Sequence, residues 1–317
     1  MTQSTTNDTA IIIPARDEAD RIAACLTALA GQMSGRVRVV LVVNNTVDDT
    51  GAVAQRVAAQ HRIDLDLLTV DLPPDQGVGL ARRIGCAHAR RQMPGLRFLL
   101  TTDADCIVTP NWVVRNIAHL QSADLVCGRI DVIAQEAAIL DKMDRVAATR
   151  EGEYRRLVQQ VFSRYAAGCA DIDGTHGDAA GASLALRATC YDAVGGFEPI
   201  RCGEDRQIAR ACRASGYLVR HADDVVVHAS CRLTGRAAGG MSEALTLRTT
   251  GTDYFIDDSL PEAERLIQYV ASGTLPTWPP CVPGSDRVHV RGLPRNINLL
   301  KEFLGEGSSD RPKAQAV

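Results

Sequence analysis

No run of apolar residues approaches the roughly 20 that a membrane-spanning helix requires, so no transmembrane segment is expected. An excess of basic charge is also missing. The formal net charge is −3, and without a basic field dedicated nucleic-acid binding is not expected. The ten cysteines, spread from Cys25 to Cys281, form no CxxC pair. That counts against a zinc ribbon and against a secreted disulfide framework. Several occupy apolar-periodic positions, where a reduced cysteine acts as a small buried hydrophobe. The opening MTQSTTNDTA shows neither the basic nor the apolar region of a secretory signal. A cytoplasmic protein is expected, and peripheral contact with a membrane surface is compatible with this composition. Internal repeats are absent.

What is present is enough for a large core. The chain has 317 residues, 45% hydrophobic and 23% charged, the balance of an ordinary globular protein. AIIIP (10–14), RVVLVV (38–43), LDLLTV (65–70) and RFLLTT (97–102) read as buried strands. Between them, Ile22, Leu26 and Leu29 recur at helical spacing, so 18–30 reads as an amphipathic helix; Val53 with Val57, and Leu80 with Ile84, mark two more. Near-continuous apolar strands joined by helices predict a mostly parallel, Rossmann-like sheet flanked by helices. In such sheets ligands bind beyond the carboxyl ends of the strands.

Further along, Thr109 is expected to cap a helix beginning at Pro110. DLVCGRIDVI reads as a strand and roughly 134–166 as one long helix with an apolar face from Tyr154 to Tyr165. GTHGDAAG (174–181) is a glycine-rich loop before the strand ASLALR. GEDRQIARACRASG is a helix ended by Gly216, followed by the short strands YLVR and VVVHAS. Beyond residue 236 the pattern weakens into a C-terminal helical and irregular extension.

Polar clusters stand at the predicted strand ends. PARDEADR (14–21) follows the first strand, where Arg16 and Glu18 could read a base or form a surface ion pair. NNTVDDT (44–50) follows the second; its Asn and Asp could cap a helix, or Asp48 could accept a hydrogen bond from a nucleoside. TTDADCIV (101–108) places Asp103 and Asp105 one residue apart, an oxygen-rich pair suited to a hard divalent cation, although such a turn taken alone is more often structural than metallic.

In order, IIIPARDEADRI, VLVVNNTVDDT, GVGLARRIGCAHA, FLLTTDADCIVTPNWV, GASLALRATCYDAVGGFEP and CGEDRQIARACRASG resemble the nucleotide-sugar half of a family 2 glycosyltransferase. The resemblance implies a GT-A fold of the inverting, non-processive type. It also implies a nucleoside-diphosphate sugar donor and a divalent cation, Mn²⁺ or Mg²⁺, at the diphosphate. The acceptor would be a small molecule, a glycan or a lipid-linked sugar. Residues 1–236 would form the glycosyltransferase domain, with a donor half at 10–130 and an acceptor half at 131–236. Residues 237–304 would form the extension and 305–317 a disordered tail.

On this resemblance Pro14, Arg16, Glu18, Asn45 and Asp48 would line the nucleoside pocket. Arg82 would lie near the nucleotide, or be a helix-surface charge. Asp103 would face the donor ribose or sugar, and Asp105 would bind the metal with His228, which otherwise would be structural. Arg232 and Arg236 would cover the diphosphate, and His176 would contact the acceptor. Glu204 and Asp205 match the family's ED pair, with Asp205 the expected base; an aspartate at a helix N-terminus is also favoured without catalysis. No QxxRW motif of processive synthases is present. The rival readings are a retaining transferase on the same fold, a nucleotidyltransferase, and a non-catalytic nucleotide-sugar-binding protein. The glycine-free PARDEADR counts against the nucleotidyltransferase.

Overall fold

The structure, a computed structural model, describes residues 7–32, 36–73, 75–235, 240–251 and 253–306. Arg236 and all but the first two residues of the expected tail lie outside these. The first elements are β1 (Thr9–Ala15), α1 (Ile22–Ala30), β2 (Val37–Asn44), α2 (Thr50–His61), β3 (Leu65–Val70) and α3 (Gly77–Gln92). Then come β4 (Phe98–Thr101), β5 (Cys106–Val108), α4 (Trp112–His119), β6 (Leu125–Val132), α5 (Arg145–Tyr165) and β7 (Leu184–Arg187). The chain continues through α6 (Ala188–Ala193), α7 (Glu204–Ala214), β8 (Val219–Ala229), α8 (Met241–Thr250), α9 (Ala263–Ser272) and α10 (Leu293–Leu304).

The strands form one sheet in the order β3-β2-β1-β4-β7-β6-β8-β5. β1 to β4 pair in parallel, while β7 runs against β4 and β6, and β5 against β8. Alternation along β1 shows why the strands read as continuous apolar runs. Ile11 and Ile13 join Leu26, Val57 and Trp112 on one face of the sheet. Ala10 and Ile12 join Ala81, Cys86 and Ile208 on the other. A strand covered on both faces has no polar side to display. Eight of the ten cysteines are buried; Cys202 and Cys281 are exposed.

The chain divides into two compact units. One comprises residues to Ile139 with Thr175–Thr246; the other comprises Leu140–Gly174 with the residues from Leu247 onward. The second unit has its own core, in which Tyr154, Leu157, Val161 and Phe162 of α5 pack with Leu266, Leu293, Ile297 and Trp278. The Phe162 and Trp278 rings meet edge-on at 5.0 Å. The sequence-based division, with its boundary at 236, keeps α5 in the first domain; packing groups it with the C-terminal helices because its apolar face meets theirs.

Three local readings differ from the sequence expectation. The stretch 134–166 is a 3-10 helix, Ala134–Lys142, and then α5, whose start is fixed by Asp144 accepting the N–H groups of Val146 and Ala147. YLVR and VVVHAS are one strand, β8, with a bulge where the register to β6 shifts between Gly128 and Arg129. Thr109 does not cap a helix: its hydroxyl donates to the Val226 carbonyl at 2.9 Å, and α4 begins at Trp112.

Candidate active site

The site is built in the first unit, from loops at the carboxyl ends of β1, β2 and β4 and from the turns before β7 and α7. The loops after β1 and β2 are stitched to each other. Thr50, fully buried, accepts the Glu18 N–H at 2.8 Å, and Asp48 accepts the N–H groups of Ala19 and Thr50, both at 2.9 Å. Asp17 accepts the Val47 N–H at 2.9 Å while its own N–H donates to Thr46. The Asn45 amide brackets Leu72, donating to its carbonyl and accepting its N–H. Among the expected nucleoside residues, then, Asn45 and Asp48 hold the walls of the loop. Pro14 is buried within β1, and Arg16 is exposed.

Two arginines, each shared between carboxylates, flank the Asp103–Asp105 turn. Arg82 on α3 is 3% exposed and bridges Asp103, at 2.5 Å, to Glu204 at the start of α7. Burial opposes its charge, but Asp103, Glu204 and Asp205 outweigh that and raise its pKa further. The helix-surface reading of Arg82 is thereby corrected: the side chain lies inside. Arg232, after β8, grips buried Glu18 with both terminal nitrogens and reaches Asp105 at 3.0 Å. Its turn is held by Glu136, which accepts from Ser230 and the Cys231 N–H, both at 2.8 Å, and pairs with Arg21.

The two halves of the ED pair have different surroundings. Gly203 adopts a left-handed φ of 86°, which glycine tolerates without strain, and this turns the chain into α7. Glu204 is buried; that burial, with Asp205 nearby, raises its carboxyl to about 7 against the pull of Arg82. Asp205 is half-buried and accepts the Gly181 N–H at 2.8 Å and that of Arg206 at 2.7 Å. Each of its oxygens keeps a second lone pair for an incoming proton.

For a cation, Asp103, Asp105 and Cys106 offer atoms within 4.8 Å of one another. Burial pushes the Cys106 thiol well up, so it stays protonated and soft, a poor ligand for Mg²⁺ or Mn²⁺. The two carboxylates are the hard donors, and the turn fits such a cation. Burial, then Asp103, raises the Asp105 carboxyl to about 6, with Arg232 pulling the other way. His228 lies in β8 opposite Ile107 and is not within this group. His176 turns to the backbone, meeting the Cys127 carbonyl at 3.1 Å. A cavity of about 380 Å³ opens beside Asp105, lined also by Asp20, Arg21, Cys25, Ile107 and Glu136.

Sequence reading missed Thr50, Glu136 and Gly181. Thr50 and Glu136 act by contacts 32 and 95 residues away in sequence, which no local spacing reports. Gly181 was visible only as part of a glycine-rich loop.

Acids and arginines thus converge at the strand ends of a helix-flanked α/β sheet. Residues 10–175 match the model described as glycosyl transferase family 2. That is more than half of the sequence: the chain belongs to this family and is a glycosyltransferase. Its fold is similar to that of the mannosyltransferase PcManGT from Pyrobaculum calidifontis, solved with GDP-Man and Mn²⁺. Identity is 18% and the TM-score 0.53, over 98% of this chain and 77% of that one. It is also similar to S. aureus TarS 1-349 in complex with UDP, at 12% identity and TM-score 0.50, over 94% and 80% of the two chains. A third similarity, to S. aureus TarS at 14% identity and TM-score 0.50, covers 70% of this chain and 36% of that one. This chain therefore spans about a third of that protein's length. These likenesses establish the GT-A fold. No curated protein matches the chain in sequence. Among the described residues no helix is long and apolar enough to cross a membrane.

Proposed function

We propose that the protein moves a sugar from a nucleoside-diphosphate sugar to an acceptor hydroxyl, with inversion at the anomeric carbon. The observation that carries this is the pair of arginine-bridged carboxylate sets, Arg82 with Asp103 and Glu204, and Arg232 with Glu18 and Asp105, flanking one acidic turn. Two related folds were solved with UDP and with GDP-Man and Mn²⁺, which favours a donor of that class. Asp105 would hold a divalent cation, with Asp103 beside it facing the donor. The cation would supply positive charge to the leaving diphosphate.

The acceptor oxygen attacks the anomeric carbon as the bond to the diphosphate oxygen breaks. Asp205 takes the hydroxyl proton, and the nucleoside diphosphate leaves with the bonding electrons. Arg232 then has a second anionic partner within reach, since a guanidinium forks phosphate as readily as carboxylate. A panel of UDP- and GDP-sugars, with and without Mn²⁺, tests the reading by thermal shift, because only ligands of the native state raise its stability. Stabilisation by one nucleotide only when Mn²⁺ is present is expected. Product with retained anomeric configuration would overturn the role of Asp205 and favour the retaining reading.

A further inference from the structure

We propose that Gly181 is a positioning residue that couples the proton-accepting side of the site to the donor side. The inference rests on Asp205 being the base.

Three surfaces of Gly181 are in use. Its N–H donates to the Asp205 carboxylate at 2.8 Å. Its carbonyl accepts the hydroxyl of fully buried Thr101, at the end of β4, at 2.7 Å. Its bare Cα faces the Arg82 guanidinium: a Cβ there would stand 2.4 Å from Cζ and Nη2 and 2.5 Å from Nη1. Gly181 has no left-handed backbone angle. Space, and not conformation, is what demands glycine. The same guanidinium joins Asp103 to Glu204. One residue thus orients the base through its amide and, through the atom it lacks, seats the cation that ties the base's helix to the DxD turn.

The physical consequence follows from which atoms would have to give way. The clashing group is the end of a flexible side chain, so a methyl at 181 does not prevent folding. The guanidinium can yield only by leaving Asp103 and Glu204, and the half-buried Asp103 and the buried Glu204 then lose their partner. The defect falls on the reaction geometry, where displacements near 1 Å cost about 10²-fold.

The test is Mn²⁺-dependent release of UDP or GDP from UDP-GlcNAc and GDP-Man by Gly181→Ala, Asp205→Asn and Gly181→Ala/Arg82→Lys. Gly181→Ala is expected to lower kcat at least tenfold while KM for the sugar nucleotide stays within about threefold. Adding Arg82→Lys deletes two of the three clashing atoms, Nη1 and Nη2, and leaves a single ammonium free to step back from the methyl. Part of kcat is therefore expected to return; a merely structural glycine predicts no such rescue. Wild-type turnover in Gly181→Ala, or a double variant no faster than it, overturns the proposal. Wild-type turnover in Asp205→Asn instead sinks the base reading and leaves the rescue comparison standing. A readout independent of turnover is the Gly181 amide resonance in ¹⁵N-glycine-labelled protein. It should move in both Asp205→Asn and Arg82→Lys, and an unmoved signal in both overturns the coupling.

Discussion

Asp105 is a carboxyl held above its ordinary range by burial and by Asp103, and that has a signed consequence for stability. A raised folded-state pKa means that the folded chain holds the proton more tightly than the unfolded one. The stabilisation is complete below the unfolded value near 3.8 and is lost as pH rises through about 6. The cation-free protein should therefore gain stability relative to Asp105→Asn as pH falls from 7 to 5. Over that range the gain should be about 1.4 kcal/mol, the worth of the one pH unit below about 6; chemical denaturation from pH 7 to 5 checks it. Arg232 makes a second case. Its guanidinium occupies Asp105 at 3.0 Å, where a cation would compete for the same oxygen. In Arg232→Ala, Mn²⁺ binding without nucleotide should tighten by about tenfold, roughly one ion pair's worth, and calorimetric titration reads it. A weaker Mn²⁺ affinity in that variant would sink the competition. At this scale the sequence was a good guide to identity and a poor one to partners. Asp103, Asp105, Glu204 and Asp205 were legible as strand-end and helix-start acids. That Asn45 and Asp48 would be committed to loop backbone was not, because their partners Leu72 and Ala19 lie on other loops.

Among the elements, legibility followed length and burial. β1, β2 and β4 were plain because both faces are buried and the apolar run is unbroken. β5, with three residues, carries too little pattern, yet it pairs the DxD turn to β8 through Cys106–Ala229 and Val108–Val227. α5 shows how a side chain can override periodicity. The apolar rhythm continues upstream of it, but Asp144 captures two N–H groups and restarts the helix. Asp144→Ala should cost about 1 kcal/mol, visible in urea unfolding monitored in the second unit by Trp278. The strap between the loops after β1 and β2 is stronger, since Thr50 both accepts from Glu18 and donates to Asp48 while fully buried. Thr50→Val keeps the shape and leaves the Glu18 N–H unsatisfied, at a cost of about 1–3 kcal/mol. A loss below measurement error would show that the strap is dispensable.

Across the whole molecule, the second unit is discontinuous in sequence, and its core needs both pieces. Chain ending at residue 246 would leave Tyr154, Leu157, Val158, Val161 and Phe162 of α5 without Leu293, Ile297 and Trp278. Such a truncation should bind a hydrophobic dye and aggregate, because an uncovered apolar face of that size is an association site. A monomeric, dye-silent product would show that α5 finds cover elsewhere. The distribution of thiols has a practical use of another kind. Only Cys202 and Cys281 are exposed among ten cysteines, and Cys202 stands two residues before Glu204. With Cys281→Ser, a maleimide fluorophore would attach at one place, beside the start of α7, and turn the arrival of a ligand into a change of emission.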